Sequence, residues 1–359
     1  MNEISQIIQE TTEKIMKDLC TKEVVEAAEQ DIFPTELWQT LVETGMTTIG
    51  IPEESGGTGG SLADALTFLR IAAQFSAPIP IAETFVANWL LSKIGLPLLD
   101  KTTTIASFQY GNPITFNEAS GGWTISGSAH DVPFARYGEA ILVIGESEQG
   151  NMVAIVDPDT CRIEEGKNYA GEARDHLYFK DVPVESDNVY SLSEVNANEF
   201  YYLTALIRGV QMSGALERIL ELSVKYSKER IQFGRPIAKF QAIQQQIAIL
   251  AGEVSAAKAM TELAIKSFEA GSGKNQIISA KIRVGEAASL ATPIAHQVHG
   301  AIGFTEEHAL QQSTRRLWSW RDEYGNESHW AKILGEEVLT MEADDLWPFI
   351  TSMNSKISS

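Results

Sequence analysis

Glu229-Arg230-Ile231-Gln232-Phe233-Gly234-Arg235-Pro236-Ile237, with Phe240-Gln241 and Gln244 close behind, is a polar, glycine-containing break between two helical patterns. Upstream, Leu216, Ile219, Leu220 and Val224 make one apolar stripe. Downstream, Ile243, Ile247, Leu250 and Val254 recur at i, i+4, i+7 and i+11. Gly271-Ser272-Gly273 ends that second helix, and a third pattern begins near Ile277. Long helices joined by short loops pack antiparallel, because a short connection returns the chain beside itself. A four-helix bundle is therefore expected over residues 194–359.

Working back from the bundle, the signature changes between about Thr102 and Leu192. There the chain carries β-branched and aromatic runs broken by Gly, Pro and Asp: Thr104-Ile105-Ala106-Ser107-Phe108, Trp123-Thr124-Ile125, Ala140-Ile141-Leu142-Val143-Ile144, Val153-Ala154-Ile155-Val156 and His176-Leu177-Tyr178-Phe179. The connections look too short for helical crossovers, so a middle antiparallel β-domain is expected over residues 102–193. Residues 1–101 read as an N-terminal helical domain, with Leu37 and Leu41, then Ala65, Leu66, Leu69 and Ile71, at helical spacing. Ile51-Pro52-Glu53-Glu54-Ser55-Gly56-Gly57-Thr58-Gly59-Gly60 interrupts them. A phosphate loop would close its glycines with Lys and then Ser or Thr, whereas Ser61-Leu62-Ala63 follow here, so a turn leading into a helix is expected. The fold class is α+β in the order helical, β, helical, with no internal repeat.

The composition excludes several function classes. A formal net charge of −20 over 359 residues opposes nucleic acid and anionic membrane surfaces, since neutralising phosphates needs clustered Lys and Arg. Cys20 and Cys161 are the two cysteines, far apart and in no metal-ligand spacing, which suits a reducing compartment. The first 23 residues are polar and amphipathic rather than a basic segment followed by an apolar run, and nowhere do about 18 apolar residues run together. Cytoplasmic localisation without membrane insertion is the expectation. His296 and His299 have no third ligand at zinc-type spacing nearby, so no metal is expected. The serines lack a nucleophile-elbow context, which argues against acyl hydrolysis.

The Arg230-to-Gly234 segment with its Phe240-Gln241 continuation resembles the Arg-x-x-Phe-Gly segment of the acyl-CoA dehydrogenase family. A second block, Gln297-Val298-His299-Gly300-Ala301-Ile302-Gly303-Phe304, is similar to the family's Gln-x-x-Gly-x-x-Gly-Phe segment at the expected distance. Pro52-Glu53-Glu54 with Gly56 and Gly57 is similar to the family's Pro-Glu-Glu-x-Gly-Gly turn. Gly127 to Val143 resembles the flavin-side segment of its β-domain, and Leu177 to Val184 that domain's closing strand. The resemblance implies FAD as cofactor and an acyl-CoA thioester as substrate, dehydrogenated at its α and β carbons, with electrons passed to an electron-transferring flavoprotein. In the family the Arg-x-x-Phe-Gly loop reaches FAD held by a neighbouring subunit, so the resemblance also implies a homo-oligomer or a heteromer with a second family member.

FAD needs cation, planar contact and amide groups. Arg230 supplies a guanidinium able to fork onto phosphate oxygens. Phe233 offers an aromatic face, Gln232, Gln241 and Gln297 offer amides, and Gly300 allows close backbone approach. Val132, within Asp131-Val132-Pro133, stands where the family has its flavin-facing Trp-Ile-Thr, and Asn326 follows Gly325 in the family's terminal segment. Each residue alone reads as ordinarily as core, cap or surface; their joint spacing carries the expectation.

The sequence departs from the family at the catalytic base. Where the family has Glu before Gly-Thr, Tyr324 precedes Gly325-Asn326; where some members carry the base on the first bundle helix before an Arg, Thr204 is followed by Ala205, with Arg208 one turn later. A one-residue shift of register makes Glu323 the candidate base, with Asp322 beside it reading as a solvated acid. The family's Thr-Glu-Pro-Gly-Ala-Gly-Ser-Asp run is replaced by Phe108-Gln109-Tyr110-Gly111-Asn112-Pro113. These departures resemble shorter bacterial members, some of which act as heteromeric pairs. A catalytically incomplete FAD-binding partner subunit is therefore the alternative to a complete dehydrogenase, while an oxidase relative and a flavin-free helical scaffold are further readings, the last opposed by the two intact blocks.

Overall fold

Five helices open the chain in the computed structural model, which describes residues 3–107, 113–119 and 121–352. They are α1 (Glu3–Leu19), α2 (Lys22–Glu29), α3 (Thr35–Glu43), α4 (Leu62–Gln74) and α5 (Ile81–Lys93). Strands follow: β1 (Thr103–Ala106), β2 (Thr115–Ala119), β3 (Gly122–Pro133), β4 (Ala140–Ser147), β5 (Gly150–Val156), β6 (Arg162–Glu164), β7 (Arg174–Glu185) and β8 (Val189–Ser191). Helix returns with α6 (Glu194–Glu229). A two-stranded turn, β9 (Ile231–Gln232) and β10 (Arg235–Pro236), precedes α7 (Gln241–Glu269), α8 (Lys274–His299), α9 (Leu310–Asp322), α10 (Glu327–Leu339) and α11 (Ala343–Ser352). The helical, β, helical order is the one the periodicities predict.

Contacts group the described residues into two units that cut across this linear order. One takes those of Met1–Val25, Leu62–Ala77 and Tyr202–Ser359; the other takes Glu26–Ser61 and those of Pro78–Tyr201. Helices α1 and α4 thus belong with the bundle, and α3 and α5 with the strands.

In the bundle unit small residues set how closely the helices approach. Met212, Ala215, Leu216 and Ile219 of α6 share a core with Leu250, Val254 and Ala257 of α7, Val284, Ala287, Ala288, Ala291 and Ala295 of α8, and Leu310, Leu317 and Trp320 of α9. Alanine side chains carry little rotamer freedom to lose, so α8 buries much of its surface at small entropic cost. Gly214 marks the tightest crossing: a Cβ there would stand 2.1 Å from the Arg70 carbonyl oxygen of α4. The same contact is clamped by Arg70, whose Nη1 donates to both carboxylate oxygens of Glu217 at 2.8 and 2.9 Å. Gly271 (φ +71) and Gly273 (φ +113) turn the chain between α7 and α8, as their spacing predicts.

In the β unit the sheet runs β6-β7-β3-β2-β4-β5-β8 among the described residues, with β1 also on β4. Most neighbours are antiparallel, as expected, but β1 and β2 run parallel to β4, so the sheet is mixed. The β2–β3 hairpin lies between β1 and β4 in sequence and supplies the long crossover a parallel pair needs. Strand β4 is buried from Ala140 to Gly145, which is why it reads as a continuous apolar run rather than an alternating one. The glycine-rich segment near residue 56 is a tight turn: Gly50 N–H donates to Gly59 O at 2.8 Å and Gly59 N–H to Ile51 O at 2.9 Å. A Cβ on Gly57 would meet Ile51 O at 2.2 Å.

One buried acid organises the start of β7. Asp175, fully buried, accepts from Arg136 N at 2.8 Å, Arg136 Nε at 3.0 Å and Gly166 N at 3.2 Å, and Arg136 also reaches Asp31 at 3.0 Å. Replacing Asp175 by Ala removes the buried partner of a guanidinium that keeps Asp31, Glu165 and the Gly166 carbonyl, at a cost of about 1–3 kcal/mol. Urea unfolding of the variant is expected to show a correspondingly lower midpoint; an unchanged midpoint would contradict the assignment.

Candidate active site

The turn between α9 and α10 concentrates the bundle unit's polar chemistry. Helix α9 stops because Glu323 leaves helical backbone (φ −68, ψ 134), and Tyr324 (φ +55) and Gly325 (φ +86) then reverse the chain through left-handed conformations. Asn326 restarts it as the N-cap of α10, its side chain accepting from His329 N at 3.1 Å. Beneath the turn lies Trp330, fully buried, whose Nε1 donates to Tyr324 O at 3.0 Å and Gly325 O at 3.2 Å. A left-handed Tyr costs of order 1 kcal/mol, so the turn persists because these contacts fix it.

From this turn the Glu323 carboxylate, its side chain 19% exposed, meets Arg208 of α6, 3% exposed, with Arg208 Nη2 to Glu323 Oε2 at 2.8 Å. Arg208 is held in turn by Gln211 Oε1 at 2.7 Å and lies over the rings of Trp320 (5.5 Å) and Tyr324 (5.7 Å). Asp322, one residue earlier, is exposed and accepts from Asn326 Nδ2 at 3.2 Å. The two adjacent acids thus have different environments, one enclosed and one solvated. Thr204 is buried one helical turn before Arg208.

Lys281 of α8 is the third charged group here. Its buried Nζ donates to Arg321 O at 3.2 Å and approaches Trp320 O at 3.5 Å. Burial, then repulsion from Arg208, pulls its pKa down to about 7, against the opposing attraction of Glu323 and Asp322.

The residues expected to hold the cofactor fall in separate places. Arg230, Gln232 and Phe233 stand together on the exposed turn between α6 and α7. With the Gln232 amide oxygen toward the guanidinium, it accepts from Arg230 Nη2 at 2.8 Å. Phe233 is 91% exposed on left-handed backbone (φ +51), its ring 6.1 Å from that of Phe240. Gln241 opens α7, exposed, and Gln244 donates to Ala238 O at 3.0 Å. Gln297 is exposed in the last turn of α8, and Gly300 closes that helix at φ +66, ψ −147, a conformation essentially confined to glycine. Among the described residues other than its chain neighbours, no atom comes within 4 Å of where a Gly300 Cβ would stand. Val132 lies in the β unit, buried in β3 beside a bulge at which Asp131 takes φ +56. The replaced run Phe108 to Asn112 lies outside the described residues.

His296 and His299 are held by rings: His296 stacks on Phe304 at 4.1 Å, and His299 stands 4.6 Å from both Tyr226 and His308. A cavity of about 830 Å³ in the β unit, lined by Trp38, Val42, Leu98, Lys101 and Glu139 among others, includes none of the predicted site residues.

Residues 2–97 match the family model for the acyl-CoA dehydrogenase N-terminal domain, and residues 197–337 match that for the acyl-CoA dehydrogenase C-terminal domain. The chain belongs to the acyl-CoA dehydrogenase family. Acyl-CoA dehydrogenase IpdE2 of Mycolicibacterium smegmatis is 28% identical over 319 residues, covering 88% of this chain and 93% of that protein. Acryloyl-CoA reductase (NADH) of Anaerotignum propionicum is 26% identical, covering 86% and 88%. The same fold occurs in the ChsE4-ChsE5 complex from Mycobacterium tuberculosis, with a TM-score of 0.88 at 21% identity, covering 96% of this chain and 99% of that one. This dehydrogenase is accordingly an oxidoreductase acting on acyl-CoA, with FAD as its cofactor.

The donor set fits a flavin nucleotide. An exposed guanidinium beside a neutral amide, an exposed aromatic ring, further amides and an open glycine backbone are the groups a pyrophosphate and flat rings call for. Among the charged residues, Lys281 and the full role of Arg208 escaped the sequence reading. Lys281 did leave a signal, since it interrupts a face otherwise built from Ile277, Ile278, Val284 and Ala288.

Gly325→Ala tests the turn. The new Cβ would stand 2.6 Å from His329 Cδ2 and 2.7 Å from Trp330 Nε1, on left-handed backbone. A loss of about 1–3 kcal/mol in stability is expected, read by thermal unfolding; wild-type stability would mean the turn is looser than described.

Proposed function

We propose that this dehydrogenase removes the α and β hydrogens of an acyl-CoA thioester, with Glu323 as the base for the α-proton. The observation that carries the reading is the enclosed Glu323 carboxylate, fixed at the mouth of the α9–α10 turn by Arg208 at 2.8 Å. A general base must be held in one geometry before its proton affinity matters, and Arg208, Gln211 and the two flanking rings provide that hold. The α-proton passes to Glu323, the β-hydrogen leaves with its electron pair, and the Cα–Cβ bond becomes double. FAD, when bound, supplies the acceptor for that hydride. Arg230, Gln232, Phe233, Gln241, Gln297, Gly300, Val132 and Asn326 are the residues proposed to contact it.

The exposed Arg230-to-Phe233 turn supports the view that its flavin belongs to a neighbouring subunit. Oligomerisation, with itself or with a second family member, and an electron-transferring flavoprotein as electron acceptor are part of the same proposal. The Arg208–Glu323 pair also favours a second reading: an ion-paired carboxylate, with Tyr324 and Thr204 at the family's two base positions, suits an FAD-binding partner subunit whose sister chain carries the base.

Glu323→Gln keeps size and removes the acceptor carboxylate. FAD is expected to stay bound while reduction by acyl-CoA slows by about 10²–10⁴-fold, followed by anaerobic flavin bleaching. Asp322→Asn, in the solvated position, is expected to reduce at the wild-type rate; equal losses in both would show the register to be wrong. A wild-type chain that binds FAD and is reduced by no acyl-CoA would favour the partner-subunit reading.

Arg230→Ala tests the cofactor site separately. Loss of a charge-assisted contact to phosphate is expected to cost about 1.5–3 kcal/mol, or roughly tenfold to over a hundredfold in FAD affinity by equilibrium dialysis. Unchanged affinity would remove Arg230 from the site.

A further inference from the structure

We propose that Lys281 is a positioning residue for Glu323: from α8 it fastens the carbonyl end of α9 and so fixes the turn from which the Glu323 carboxylate reaches Arg208. The inference rests on the reading of Glu323 as base, and it starts from an accounting of backbone groups. The last carbonyls of any α-helix have no partner within the helix, and burying them unmet is costly. In α9 those of Trp320 and Arg321 point into the protein, where Lys281 Nζ meets them at 3.5 and 3.2 Å. Glu323 is the next residue but one after Arg321 and the C-cap of the same helix. Any sag in the end of α9 therefore displaces its carboxylate directly.

An apolar side chain would fill the space, and an exposed lysine would be the ordinary way to bring a cation to a helix C-terminus. Lys281 is instead 2% exposed. Its neighbours explain what is gained. Arg208 of α6 repels its ammonium, while Asp322 and Glu323 at the end of α9 attract it. On α10, Glu327 pairs with Arg321 and lies against Gly285, one turn further along α8. The charge on Lys281 thus acts on both partners of the Arg208–Glu323 pair, and with its pKa pulled down to about 7 that charge changes around neutral pH. As the neutral amine it still donates to the two carbonyls without competing with Arg208 for the carboxylate. As the ammonium it pushes on Arg208 and draws on Glu323.

Two consequences are measurable in the FAD-loaded protein. The first is kinetic. Wild-type flavin reduction is expected to show an ionisation near pH 7, slower on the acid side. Lys281→Met, which cannot donate, is expected to lose that ionisation and to slow reduction by up to about 10²-fold, the scale set by misplacing a reacting group. Lys281→Gln, an uncharged donor, is expected to recover most of the rate while still lacking the ionisation. The second is the pH dependence of stability, which needs no turnover. Lys281 binds its proton less readily folded, at about 7, than at the ordinary 10.5. Between those values the unfolded chain holds more protons, so wild-type stability rises with pH relative to Lys281→Met. The Tm of the wild type relative to Lys281→Met is expected to be lowest below pH 7 and to rise steadily toward pH 10.

An unaltered ionisation in Lys281→Met, a Lys281→Gln as slow as Lys281→Met, or a Tm difference independent of pH would each overturn the proposal. Failure of the underlying reading looks different: Glu323→Gln would then reduce at the wild-type rate while the pH-dependent Tm difference persisted.

Discussion

A desolvated charge must be matched where it sits, and in the bundle unit that requirement converges on Arg208. Its guanidinium is 3% exposed and meets Glu323, Gln211, Trp320 and Tyr324. Removing such a cation from water costs several kcal/mol, offset only when partners are in place on all sides. Helix α6, the end of α9 and the left-handed turn before α10 are therefore bound to one arrangement. The alanine-rich surface of α8 packs in one core with α6 and α9, the helices that carry the pair.

The turn itself shows how local strain and tertiary contact balance. Tyr324 and Gly325 both take positive φ, and only glycine does so without cost. Trp330 offsets that cost by donating to both carbonyls of the turn, and Asn326 begins the next helix at once. The β unit solves a similar problem differently. There Asp175 is the buried anion, and Arg136 with backbone amides matches it where β3 ends and β7 begins.

The same turn leaves one carboxylate ion-paired and largely covered and its neighbour exposed. Asp322 and Glu323 are chemically alike and adjacent, yet the first lies in solvent and the second beside Arg208. The difference arises where α9 ends, since the change from helical to extended backbone at Glu323 turns its side chain inward.

Periodicity and turn chemistry determined the element order, because apolar spacing and glycine breaks act over a few residues and are written in the chain. The stripe Leu216–Ile219, the Gly271–Gly273 break and the strand runs from Ala140 to Val156 all lie in the elements they predict. The two motif blocks likewise named the family, since spacing within a segment survives without tertiary information. Strand direction was less legible: β1 and β2 run parallel to β4 through a crossover that no local signal announces. Which helices keep company with the strands was likewise decided by contacts far apart in sequence. The environment of Glu323 belongs wholly to the tertiary structure. Arg208, Lys281 and Glu323 come from three different helices or their ends, and burial and ion pairing are properties of groups brought together, which no single segment encodes.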